Sequence, residues 1–129
     1  MPEKRAGQKY SHYAPDAQVV LVEGEGKKVS EKIDTLLENY RREGKKVGLL
    51  LSDDTAGFFA SERLSVHECF LLGSREGPEE AARRLFEGLR ALDAKSLDVI
   101  LADGSFSPSG LGVALLNRLR EAASVRHAV

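Results

Sequence analysis

The sequence offers none of the usual substitutes for a hydrophobic core. Its 129 residues contain one cysteine, Cys69, four prolines, one methionine and no tryptophan. A lone cysteine excludes an internal disulfide framework and fits a reducing compartment, so the cytoplasm is the expected location. No apolar run approaches the roughly 20 residues of a membrane-spanning helix, and the polar opening MPEKRAGQKY has no signal-peptide core. Neither export nor a membrane partner is expected. An excess of one charge is also missing, with 19 Lys and Arg against 20 Asp and Glu. Such a balance gives no general field to draw in polyanions, and direct nucleic-acid binding is not expected. What is present is 42% hydrophobic residues, enough to build one core at this chain length.

The apolar residues are arranged in two alternating ways. VVLV at 19–22, VGLLL at 47–51, HECFLLG at 67–73 and DVILAD at 98–103 are short continuous runs, as in strands covered on both faces. SVRHAV at the end predicts a short fifth strand. Between them lie helical periods. Val29, Ile33, Leu36, Leu37 and Tyr40 form one face, with Ser30 as the expected N-cap and Gly44 as the stop. SDDTAGFFASERL predicts one or two short helical turns. GPEEAARRLFEGLRALDAK puts Pro78, Glu79 and Glu80 in a first turn and Ala82, Leu85, Phe86, Leu89 and Leu92 on one face. Ser107 and Pro108 read as the cap and first residue of a last helix with the face Leu111, Leu115, Leu119 and Ala122. Strand and helix in alternation predict an α/β/α sandwich around a mostly parallel sheet of four or five strands. It spans residues 18–129, behind an extended arm at 1–17 that carries Pro2, Gly7 and Pro15.

In an open parallel sheet, ligands sit beyond the carboxyl ends of the strands. The residues there are Glu23 and Gly24, then Ser52, Asp53 and Asp54, then Gly73 and Ser74, then Asp103, Gly104 and Ser105. Convergence of Glu23, Asp53 and Asp103 would offer hard oxygen ligands for magnesium. The same residue types also cap helices and make turns, and no spacing rule links these carboxylates. GEGKK at 24–28 lacks the full phosphate-loop motif. SGLG at 109–112 stands at a helix start, where free N–H groups cradle anions or glycines permit close packing. A ligand crevice near Asp53, Asp103, Gly110 and Gly112 is therefore one expectation. His67 and Cys69 share one side of a strand, but two ligands make no zinc site, and no metal site is assigned. No nucleophile elbow or catalytic triad is legible, so no catalytic residue is assigned either.

The arm carries the most distinctive stretch, KYSHYAP at 9–15. With EEAARRLFEGLRALD, DVILAD and GLGVALLNRLREAA following in order, it resembles the two-domain L-threonylcarbamoyladenylate synthases over residues 5–129. Their linker commonly reads PGMKYxHYAP. The chain departs from that pattern in RAGQ at 5–8, in Ser11 where arginine is frequent, and in Glu121 where lysine is usual. The resemblance implies a Rossmann-like accessory domain whose partner is a YrdC-like catalytic domain, joined covalently or acting in trans. It implies that ATP and Mg serve that complete enzyme, which makes threonylcarbamoyl adenylate from threonine, bicarbonate and ATP for tRNA modification. No cofactor is assigned to this chain itself, and it is expected to be inactive alone. It further implies that Lys9, Tyr10, His12 and Tyr13 line the catalytic cleft as a cover. An extended arm of this length spans up to about 55 Å, at about 3.3 Å per residue. The rival expectation is a freestanding sensor of a small ligand or nucleotide.

Overall fold

A computed structural model describes residues 15–65 and 67–129, so the expectations for Lys9, Tyr10, His12 and Tyr13 lie outside the described residues. Five strands form one sheet: β1 (Gln18–Glu23), β2 (Val47–Leu51), β3 (Glu68–Leu71), β4 (Val99–Gly104) and β5 (Val125–Ala128). The helices are α1 (Gly26–Arg42), α2 (Asp53–Ala56), α3 (Ser61–Ser65), α4 (Pro78–Asp93) and α5 (Leu111–Ala122). Every pairing is parallel and the spatial order is β3-β2-β4-β1-β5. The expected three-layer α/β architecture is therefore observed, with five strands.

The order follows from two runs of crossovers in opposite directions. From β1 the chain steps over β4 to β2 and on to β3; it then returns over β2 to β4 and over β1 to β5. Because parallel crossovers keep one hand, reversing direction moves the connecting helices to the other face. Side-chain alternation divides the core accordingly. Val20, Val22, Leu49, Leu51 and Leu101 pack with Val29, Ile33 and Leu37 of α1. Val19, Leu21, Leu50, Ile100 and Ala102 pack with Leu85 and Leu89 of α4 and Leu115 and Leu119 of α5. The edge strands β3 and β5 are the shortest and carry Glu68 and Arg126, which discourages further pairing.

Helix starts differ from the sequence reading. Helix α1 begins four residues before Ser30, which is buried within it and donates its hydroxyl to the Lys27 carbonyl. The last helix is capped not by Ser107 but by Gly110 at φ 60°, because residues 105–109 form a loop before the helix turns. The buried face of α4 runs through Ala81, Leu85, Gly88, Leu89 and Leu92, leaving Ala82 and Phe86 half-buried. Leu111 is exposed and Leu116 takes its expected place in the core.

Residues 16 and 17 are fixed at the amino end of β1. Asp93, at the end of α4, accepts the N–H groups of Asp16 at 3.1 Å and Ala17 at 3.2 Å, and the Gln18 N–H donates to the Asp98 carbonyl at 3.0 Å.

Candidate functional site: a crevice at the strand ends

At its carboxyl end β1 leads into α1 on one face, while its neighbour β4 leads into α5 on the other. Diverging loops open a crevice there, as expected at a topological switch point. Its volume, about 600 Å³, is on the scale of a small-molecule site. Gly24, Glu25 and Gly26 form one wall, Gly104–Pro108 the other, and Ala128 and Val129 close the β5 side. Phe106 and Leu116, both anchored in the core, supply an apolar floor. Gly24 adopts φ 145°, and an added Cβ would lie 2.5 Å from the Val129 carbonyl oxygen, so this turn requires glycine.

Two arginines reach the crevice. Arg75 leaves the β3–α4 loop, where its backbone N–H donates to Asp54 Oδ1 at 2.6 Å. Its Nε donates to Ser105 Oγ at 3.2 Å and its Nη2 lies 3.4 Å from Thr55 Oγ1, while its nearest recorded carboxylate oxygen is Asp54 Oδ2 at 3.9 Å. The guanidinium therefore rests mainly on neutral hydroxyls. It lies directly on Gly26, where a Cβ would come within 2.2 Å of Nη2. Arg120 of α5 instead makes a two-pronged pair with Glu23, at 2.7 and 3.0 Å, and Arg126 adds a third contact at 3.4 Å. The Arg120 hydrogen bond, outweighing partial burial and assisted by Arg126, holds the Glu23 carboxyl below its ordinary range.

None of Asp53, Asp103, Gly110 and Gly112 lines this crevice. Asp103 is fully buried. Its Oδ2 accepts the Ser52 N–H and hydroxyl at 2.8 and 2.7 Å, and its Oδ1 accepts the Ser105 N–H at 2.9 Å. The Ser52 hydroxyl in turn caps α2 by accepting the Thr55 N–H at 3.0 Å. Asp103 thus ties the β2 and β4 loops together beneath Arg75. Asp53 is exposed on α2 and its N–H donates to the Gly73 carbonyl. Gly112 permits close approach, since a Cβ there would sit 1.9 Å from the Ser107 carbonyl oxygen. Gly110 supplies the turn. The magnesium constellation is not assembled: among the described residues no three His, Cys, Asp or Glu gather to hold a metal.

His67 directly precedes β3 and Cys69 lies within it, at the edge of the sheet opposite β5 and away from the crevice. Burial pushes the Cys69 thiol up to about 11 and, with Arg41 and Arg63 nearby, lowers His67. Arg75 and Arg120 escaped the sequence reading for different reasons. Arg75 stands one residue beyond Ser74, in a loop with no motif around it to single out an arginine. Arg120 meets Glu23 across 97 positions, which only the strand order could reveal. No helix among the described residues is long and apolar enough to cross a membrane.

Fold and crevice define a parallel α/β domain of the Rossmann-like kind, with its ligand-sized opening at a switch point. The family described as threonylcarbamoyl-AMP synthase, C-terminal domain, matches residues 1–124, and the chain belongs to that family. The threonylcarbamoyl-AMP synthase of Pyrococcus abyssi is 44% identical over 123 residues, covering 95% of this chain and 33% of the relative. The chain thus spans about a third of the length of the curated relatives it matches. The crystal structure of P. abyssi Sua5 complexed with L-threonine superposes with a TM-score of 0.76 at 43% identity, over 94% of this chain and 32% of that one. The C-terminal Sua5 domain of a Pyrococcus horikoshii protein gives 0.68 at 37% identity, over 90% of this chain and 100% of that one.

Proposed function

We propose that this chain acts as the accessory domain of a threonylcarbamoyl-AMP synthase, with residues 1–17 as an arm that covers the active site of a catalytic domain joined to it. The observation that carries the reading is the extent of the match, which includes the arm yet takes in only about a third of each relative. The anchoring of Asp16 and Ala17 on Asp93 supports it, because a cover needs a fixed hinge point. The chemistry of the arm suits the task. Tyrosine and histidine rings exclude water over a labile adenylate, while their polar edges and the Lys9 ammonium meet phosphate or carboxylate. In this reading ATP, Mg, threonine and bicarbonate are handled by the catalytic domain, and the accessory domain adds no reacting group.

The test is pyrophosphate release from ATP, threonine and bicarbonate. The chain alone is expected to be silent, and to raise turnover when supplied to a catalytic domain lacking its own accessory domain. Tyr10→Ala and His12→Ala in the complete enzyme are expected to lower kcat by about tenfold or more, the scale of losing one or two positioning hydrogen bonds. Unchanged kcat in both variants would remove the gating role.

A further inference from the structure

We propose that the crevice between β1 and β4 is a binding site for a phosphate monoester of mononucleotide size, its phosphate accepting from Arg75 and from the first turn of α1 side by side and its organic part along Phe106 and Leu116. The site goes beyond the gating role, since it lies at the opposite end of the sheet from the arm's root. Six residues of β1 separate the two, about 20 Å at roughly 3.3 Å per residue.

The argument starts from charge. Arg75 is partly buried, with about a quarter of its side chain exposed, and is held by the Ser105 and Thr55 hydroxyls with Asp54 Oδ2 no nearer than 3.9 Å. It is pressed against Gly26, the first residue of a 17-residue helix. That helix end is itself electropositive, and here it has no acidic residue in its first turn and no side-chain cap. Two like potentials therefore meet at one wall of the crevice, an arrangement an anion relieves. The donors have the right form: a guanidinium fork and main-chain N–H groups. Val29 makes the first bond of α1, to the Glu25 carbonyl, so the N–H groups of Gly26, Lys27 and Lys28 precede the bonded helix. The start of α5 offers less, because its Gly112 and Val113 N–H groups already donate to the Ser109 and Gly110 carbonyls.

The other charges of the crevice do not cancel this end. Glu23 is engaged by Arg120 and Arg126, and Glu25 is exposed without capping the helix. Ser105 and Ser107 add hydroxyls on the β4 wall, and Phe106, Pro108 and Leu116 make the rest of the lining apolar. An anionic head with an apolar or planar body matches that division, in a volume of 600 Å³.

The experiment is calorimetric titration of the 129-residue chain with AMP, adenosine and inorganic phosphate, with amide NMR spectra recorded in parallel. AMP is expected to bind and to move the Gly26, Lys27 and Lys28 amide signals, with adenosine and phosphate each weaker. Arg75→Gln is expected to weaken AMP by about tenfold to a hundredfold, as for loss of a charge-assisted contact, and Arg75→Lys by less. The amide spectra establish that both variants are folded. The proposal is overturned if AMP leaves these amides unmoved, if Arg75→Gln binds as the parent does, or if adenosine binds as tightly as AMP. Phosphate binding as tightly as AMP would overturn the assignment of the apolar floor to an organic group.

Discussion

Gly112 and Asp103 show how a residue can look like a ligand contact and serve the backbone. Gly112→Ala drives a methyl group to within 1.9 Å of the Ser107 carbonyl oxygen, and a main-chain atom cannot swing aside as a side chain can. The expected net cost is about 1 to 2 kcal/mol, overpacking of about 2 to 3 set against a helix-propensity gain of about 1, read from urea denaturation of the variant and parent. A change within a few tenths of a kcal/mol would mean that the loop yields. Type and position single out both residues in the sequence, Asp103 at a strand end and Gly112 at a helix start, and both positions were legible. Their roles were not, because Asp103 finds its donors on Ser52, 51 residues away. Arg75 was illegible for the complementary reason: a loop arginine acquires meaning only from the helix end that folding brings beneath it.

At the scale of elements, strands were easier to read than helix boundaries. VVLV and VGLLL are continuous because helices cover both faces of the sheet, a constraint that writes itself into composition. A helix start can be written in backbone alone, as in α1 behind Glu25 and α5 behind Gly110, and leaves no cap in the sequence. Ion pairs between elements leave even less. The Glu23–Arg120 pair clamps β1 to α5, and its pH dependence has a definite sign. Because the folded-state carboxyl is held below its ordinary value of 4.5, first by the Arg120 hydrogen bond, its stabilisation is fully present above that value. It is lost as the pH falls through the lowered folded value. Thermal melts of Glu23→Gln are expected to show a weaker decline than the parent across that acidic window, and parallel curves would mean the pair contributes nothing.

For the whole molecule, the governing fact is the strand order β3-β2-β4-β1-β5. Neither periodicity nor composition carries it, and without it the crevice cannot be located; only its general position at the strand ends could be foreseen. Among the described residues the order also leaves β5 alone to pair with one edge of β1, through a ladder from Val20–Val125 to Glu23–Ala128. Removing residues 124–129 is expected to lower the Tm by about 5 °C or more, the scale of losing one short strand from a domain this size. An unchanged Tm would show that β1 is secured by β4 alone. Synthesis meets the same order from the other direction. β2 and β3 are close in sequence, pairing Gly48 with Glu68, and can associate early. β1 is made first of all the strands, yet its partners Val99 and Val125 come from the last two. On a ribosome, the apolar VVLV segment with Asp16 and Ala17 before it therefore waits in the open while most of the domain is translated, a natural target for a holding chaperone. Closing those long loops is the costly step of folding, and it fixes Asp16 and Ala17 on Asp93 only at the end.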